Sequence, residues 1–373
     1  MSTSAYPVPT PPPSSNPPPS STNGVPYTLT RVGVLMTPEA GNPLEAEGVL
    51  NPACGIAPDG VLYLLPRLVA AGNISRVGIG RVEIRDGVPT GVERQGVVLA
   101  PDRAFERGSA SAGVEDPRVT HLADLDLFVM SYAAFGPLGP RPALAVSQDL
   151  RSWQRLGPIL FQYDDDLGCD LNLFTNKDVV FFDRVVPGPG GVDCYAMLHR
   201  PTWDLNWIRP GEGSYPPEGV TDERPAIWIS YVPAAAVQAD IRALTSPAGH
   251  RMVAMSQYEF EALKIGAGPP PLRVDEGWLL IHHGVQGVLA PGVDQQQGVF
   301  YSAGAMLLDA DDPSRVLSRT PEPLLTPATE DERDGIVPNV VFPTATAAVD
   351  GTTFVFYGMA DSRIGVARLD HTG

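Results

Sequence analysis

From about residue 27 onward, short apolar runs alternate with clusters of Gly, Pro, Asp and Asn, and almost no segment keeps helix-period hydrophobicity through several turns. That pattern predicts a β protein. Strands are expected at 60–65, 127–132, 179–182, 194–198, 226–231, 277–282 and 353–357. Several of them open a similar pair: a strand ending on a polar residue, a loop, then a strand of small residues. Residues 63–67 are followed by 75–80, 128–132 by 143–147, and 354–357 by 364–367. The pair recurs roughly every 65 to 80 residues, a spacing that suits four-stranded blades with long loops, and about five such units fit the length. The sequence therefore predicts an all-β, five-bladed β-propeller over residues 27–373 as one domain, with a two-sheet sandwich as the alternative. In a propeller the innermost strands converge on an axial depression. Polar residues ending those strands would meet there, although far apart in sequence.

Composition narrows the class. Of 373 residues, 43% are hydrophobic and 18% charged, enough for a large core and too little charge for a disordered chain. A formal net charge of −17 sets long-range repulsion against nucleic acid and against an anionic membrane, so neither is expected as a partner. A small anion can still bind in a local cationic pocket. Residues 1–26 are rich in Pro and Ser, with neither the basic start nor the apolar centre of a secretory signal, and are expected to form a disordered or polyproline tail. No apolar run reaches the roughly 18 residues of a membrane span. Cys54, Cys169 and Cys194 are an odd, widely spaced set without a CxxC pair, so they are expected as buried free thiols of a cytoplasmic protein. The tail and exposed blade edges leave room for a homo-oligomer.

The local motif that says most is Val114-Glu115-Asp116-Pro117-Arg118. Proline fixes its own φ and biases the residue before it toward extended geometry, so Asp116 is expected to be held in place, in an extended conformation. Lysine is scarce: only Lys177 and Lys264 occur, arginine carrying the rest of the positive charge, so a lysine at a strand start needs a reason. Other chemistries fare poorly. Gly266 and Gly268 lack the strand and helix of a phosphate-binding loop, Gly-x-Ser-x-Gly is absent, and the run Asp164-Asp165-Asp166 misses the spacing of a calcium loop. Tyr132, Tyr231 and Trp278 are expected in the core rather than as sugar platforms.

Many short stretches, in order from Asn51 to Leu369, resemble glycoside hydrolase family 130, the β-mannoside phosphorylases and related mannosidases. They include Asn51-Pro52-Ala53, Leu64-Leu65-Pro66-Arg67, Ser75-Arg76-Val77-Gly78, Gly113 to Arg118, Asn176-Lys177-Asp178, Leu198-His199-Arg200-Pro201, Lys264 to Gly268 and Tyr357 to Asp361. The resemblance implies a five-bladed propeller and inverting phosphorolysis of β-mannosides to α-mannose 1-phosphate. It places the proton donor at Asp116, acting through a sugar hydroxyl, and phosphate on Lys177 and His283, with Arg76 and Arg141 as further guanidinium forks. Asn51, Arg67 and Asp361 fall on sugar-binding positions. Inorganic phosphate would be the co-substrate, with no metal or other cofactor. A hydrolase would instead need a carboxylate to activate water, for which Glu115, Glu261 and Asp275 are candidates. A non-catalytic carbohydrate-binding propeller is the remaining alternative.

Overall fold

Residues 24–206, 209–289, 296 and 298–372 are described in the computed structural model. After the first strand, β1 (Tyr27–Met36), come five successive antiparallel groups, of which the first two are joined into one eight-stranded sheet by a short parallel pairing, Ile74↔Ala112 and Ser75↔Gly113. The first is β2 (Gly48–Ile56), β3 (Leu62–Ala70), β4 (Ile74–Arg85) and β5 (Val88–Leu99); the second is β6 (Ala112–Leu122), β7 (Leu127–Gly136), β8 (Gly139–Ser147) and β9 (Gln154–Pro158). The third runs β10 (Thr175–Phe181), the two-residue β11 (Val186–Pro187), β12 (Asp193–Thr202), β13 (Ile227–Pro233) and β14 (Ala248–Ala254). In the fourth are β15 (Lys264–Ala267), a short β16 (Leu272–Val274), β17 (Gly277–Gly287), β18 (Val299–Leu308) and β19 (Val316–Arg319). The fifth contains only β20 (Val341–Val349), β21 (Thr352–Met359) and β22 (Arg363–His371) from its own stretch of chain. Its fourth strand is β1, which pairs antiparallel with β22 from Tyr27↔His371 to Met36↔Ile364. The chain is all-β, as expected, and each predicted strand lies in or overlaps one of these elements. The predicted tail lies outside the described residues except for its last three positions.

Middle strands such as β3, β12 and β21 are buried on both faces, which is why they read as apolar runs rather than strict alternation, whereas outer strands such as β5 and β19 are half-buried or exposed. Successive side chains go to opposite sides. On β12, Tyr195 and Met197 pack with Val129 and Leu144 of the second group, while Ala196 and Leu198 pack with Ile265 and Leu280 of the fourth. On β21, Phe354 and Phe356 meet Leu62 and Leu64 of the first group, while Val355 and Tyr357 meet Ile281 and Ala303 of the fourth. Residues of the first and second groups share a further core around Leu65, Val77, Val114 and Met130. The apolar core is thus divided among successive interfaces, and the fifth group packs against the first.

Four groups also share a buried clamp. A glutamate on a short helical turn before the first strand reaches an arginine on the last strand of its group: Glu45 to Arg94 at 2.8 Å, Glu106 to Arg155 at 2.8 Å, Glu261 to Arg319 at 2.6 Å and Glu332 to Arg31 at 2.8 Å. Three of these carboxylates accept a further bond, from Tyr132 on β7, His282 on β17 and Tyr357 on β21. Among the described residues the third group has no such pair. The three cysteines are buried and unbridged, and no helix among the described residues is long and apolar enough to cross a membrane.

Candidate active site

Three first strands break register at the same place. β-bulges fall between Leu50 and Ala53 on β2, Glu115 and Arg118 on β6, and Lys177 and Val180 on β10. Each contains a residue with left-handed backbone: Asn51 (φ 41), Asp116 (φ 48) and Asp178 (φ 57). Asn and Asp are the non-glycine residues that best tolerate that region, and a bulge re-aims the side chain it carries. Here it turns all three side chains toward one cavity of about 490 Å³. The extended geometry expected for Asp116 is therefore not found. Proline's bias on the preceding residue is overridden by the bonds that hold the bulge, among them Arg118 Nη1 to the Asp116 carbonyl at 2.7 Å.

Asp116 Oδ1 accepts from Asn51 Nδ2 at 2.8 Å and from Arg67 Nη1 at 2.9 Å. Burial raises its pKa, but Arg67, then Lys177 and Arg118, outweigh burial and push it down to about 2. Asp361, in the turn between β21 and β22 (φ 49), lines the same cavity and behaves oppositely. Burial, with Asp116 and Glu115 as like-charged neighbours, overcomes Arg67 and Lys177 and lifts its pKa to about 6. Two carboxyls in one cavity thus differ in proton affinity by environment alone. Arg67 is largely spent on the protein: it also donates to Ser75 Oγ at 2.9 Å, to Glu115 Oε1 at 2.8 Å and to Asn73 Oδ1 at 3.3 Å.

Cations line the same cavity. Lys177 Nζ lies 3.3 Å from Glu115 Oε2, so its ion-pair partner is Glu115 and not the neighbouring Asp178. Asp178 is instead gripped by Arg200 Nε at 2.5 Å, and Arg118 Nη2 stands 3.6 Å away. Arg200 and Lys264 line the cavity beside Lys177. Burial, then Arg200 and Lys177, lower the Lys264 ammonium to about 7 against the opposing pull of Asp178 and Asp361.

The structure therefore brings together Asn51, Arg67, Asp116, Lys177 and Asp361 and leaves three predicted residues outside. His283 is fully buried and not among the lining residues; its Nε2 lies 3.5 Å from Asp178 Oδ2, and burial holds its ring neutral. Arg141 donates to the carbonyls of Phe174 and Leu173 and does not line the cavity. Arg76, on β4, is also absent from the lining. Glu261 is buried in its clamp, and Asp275 sits at the turn before β17. Arg200, Lys264 and Tyr301 are lining residues that sequence reasoning missed. The scarcity of lysine that marked Lys177 applies equally to Lys264, and Arg200 lies inside a motif already singled out. Among the described residues no cluster of three or more His, Cys, Asp or Glu side chains is placed to hold a metal.

A family model described as β-1,4-mannooligosaccharide phosphorylase matches residues 39–372. The 1,2-β-oligomannan phosphorylase of a Thermoanaerobacter species is 28% identical over 344 residues, 90% of this chain and 94% of the relative. The β-1,2-mannobiose phosphorylase of the same organism is 30% identical over 261 residues, 69% of this chain and 67% of the relative. Among solved structures, the β-1,2-mannobiose phosphorylase of Listeria innocua, in complex with β-1,2-mannobiose, superposes with a TM-score of 0.66 at 21% identity, covering 92% of this chain and 96% of that one. This last likeness shows a shared fold.

Proposed function

The chain belongs to glycoside hydrolase family 130, and from that premise we propose that it cleaves β-mannosides by inverting phosphorolysis, giving α-mannose 1-phosphate and a shortened sugar. One observation carries the reading: a single cavity pairs a carboxylate fixed by Asn51 and Arg67 with the cations Lys177, Arg200 and Lys264. Phosphate is already an anionic nucleophile at neutral pH, so it needs cations to hold and aim it and no carboxylate to deprotonate it.

A phosphate oxygen attacks the anomeric carbon as the bond to the leaving sugar oxygen breaks. Hydrogen phosphate brings one proton and the leaving alkoxide takes one, so the protein relays a proton without consuming it. Asp116 is that relay, through a hydroxyl of the mannosyl ring. A phosphate entering beside Lys177 offsets the cations that depress Asp116 and raises its proton affinity toward the range a relay requires. Asp361 and Asn51 hold ring hydroxyls, and Arg67 fixes Asp116 and Glu115. The step calls on no metal or organic cofactor.

For the architecture, the five groups are read as propeller blades around this cavity, forming one domain from residue 27 onward. Support comes from the succession of cores that returns from the fifth group to the first, and from lining residues contributed by β2, β6, β10 and β15 and by the strand-connecting turn at Asp361. Hydrolysis is the second reading, and one observation favours it: a carboxyl with a pKa of about 6, as Asp361 has, suits a general base for water.

The two readings separate on β-1,2- and β-1,4-mannobiose incubated with and without phosphate, following mannose 1-phosphate and free mannose. Strictly phosphate-dependent sugar phosphate is expected. Free mannose released equally fast without phosphate would establish hydrolysis.

A further inference from the structure

The third group replaces the glutamate–arginine clamp with something else. A hydrogen-bonded chain of neutral side chains crosses its whole sheet, from the innermost strand to the outermost. Asn176 on β10 bonds through Nδ2 to His199 Nδ1 on β12 at 3.0 Å; His199 Nε2 meets Ser230 Oγ on β13 at 2.8 Å; Ser230 Oγ meets His250 Nδ1 on β14 at 2.7 Å; and His250 Nε2 reaches the Gln162 carbonyl at 2.8 Å. Asn176, His199, Ser230 and His250 are all at most 4% exposed. Phe161 packs against both imidazoles, with ring centroids 4.8 Å from His199 and 5.6 Å from His250.

The chain has only one consistent sense. The Gln162 carbonyl can only accept, so His250 Nε2 carries the hydrogen and its Nδ1 accepts from the Ser230 hydroxyl. Ser230 Oγ then accepts from His199 Nε2, which leaves His199 Nδ1 to accept from the Asn176 amide. That fixes which way the Asn176 amide faces, and its Oδ1 accepts the backbone N–H of Arg200 at 3.1 Å. Burial holds both imidazoles in the neutral form that this arrangement requires.

Asn176 immediately precedes Lys177, and Lys177 is the cross-strand partner of Arg200. The inner end of the chain therefore sets the spacing of two cations that line the cavity. The bulge on β10 begins at Lys177, so ladder bonding weakens where these cations must be held. We infer that Asn176, His199, Ser230 and His250 form a positioning network that locks Lys177 and Arg200 at the spacing phosphate requires. The inference rests on the phosphorolysis reading above. Its consequence is selective: loosening the chain degrades the anion site and spares the sugar contacts made by Asn51 and Asp361 on other groups.

Ser230→Ala tests this in the full-length enzyme, because it cuts the chain at its centre while removing a single oxygen. The phosphate KM is expected to rise about fivefold, with the mannobiose KM within about twofold of wild type, as for a misplaced rather than a missing group. Val232→Ala, a core truncation on the same strand, serves as the control for general loosening. It is expected to lower the melting temperature without moving the phosphate KM. If Ser230→Ala fails to fold, His250→Gln at the outer end of the chain gives the same readout. An unchanged phosphate KM, an equal rise in both KM values, or the same shift in Val232→Ala would overturn the inference. A wild-type rate indifferent to phosphate would instead overturn the function proposed above, and this inference with it.

Discussion

Asp116 and Asp361 share a cavity but are shifted in opposite directions from the ordinary carboxylate pKa, and their variants should divide accordingly. Asp116→Asn keeps the hydrogen-bonding shape and removes the relay, so kcat should fall roughly a thousandfold with the mannoside KM little changed. Asp361→Asn should raise the mannoside KM and erase the step near pH 6 that its raised pKa imposes on the pH–rate profile. Collapse of kcat in Asp361→Asn alone would move the proton-transfer role to that residue. Lys264 makes a second prediction. With a pKa near 7 it loses its charge as pH rises, whereas a bound anion favours the charged form, so anion binding should take up a proton above neutrality. Sulfate, whose own charge is constant there, should inhibit about tenfold less per pH unit above 7, and Lys264→Arg should flatten that dependence. An inhibition constant independent of pH in wild type would refute it. At this scale the sequence foretold that Asp116, Asn51 and Lys177, each in a distinctive motif, would come together, and they line one cavity. It did not foretell that the polar atoms of His283 would be enclosed, or that Arg141 would be engaged with carbonyls. No linear pattern distinguishes an arginine facing a cavity from one facing a backbone.

Among the elements, the middle strands were the easy ones to foresee, because burial on both faces makes them unbroken apolar runs. The first strands, which bring Asn51, Asp116 and Lys177 to the cavity, were harder, since bulges and polar residues interrupt them at that end. Local propensity argued for an extended Asp116, and the bulge decided otherwise. The clamps were invisible in sequence, because each joins positions about 50 or more residues apart, or opposite ends of the chain in the case of Arg31 and Glu332. Breaking a buried pair by removing one charge costs about 3–5 kcal/mol. Glu106→Gln should accordingly lower the unfolding free energy by up to about 3 kcal/mol in denaturant titration, leaving Arg155 only the more exposed Asp102, 3.1 Å away, as an anionic partner and weakening the bond from Tyr132, with kcat/KM at working temperature nearly unchanged. Loss of activity in the still-folded variant would show that the clamp reaches the site.

For the whole molecule, the same topology that brings β1 from the N-terminal end onto β22 also returns the succession of cores to its start, so the last group is completed by the first strand. That arrangement lets residues from Asn51 to Asp361 face one cavity. It also concentrates positive charge inside a chain with a net charge of −17, so an anion is drawn in by local contacts and not by the long-range field. The expected repeat is hardest to follow in the third group, where residues 203–226 separate β12 from β13.

That Asp116 and a phosphate-holding set of cations share this cavity is tested most directly by the steady-state kinetics of Lys177→Ala with phosphate and mannobiose varied independently. Losing one charge-assisted contact to the anion should raise the phosphate KM about tenfold or more and leave the mannobiose KM within about twofold. An unchanged phosphate KM, or equal shifts for both substrates, would contradict it.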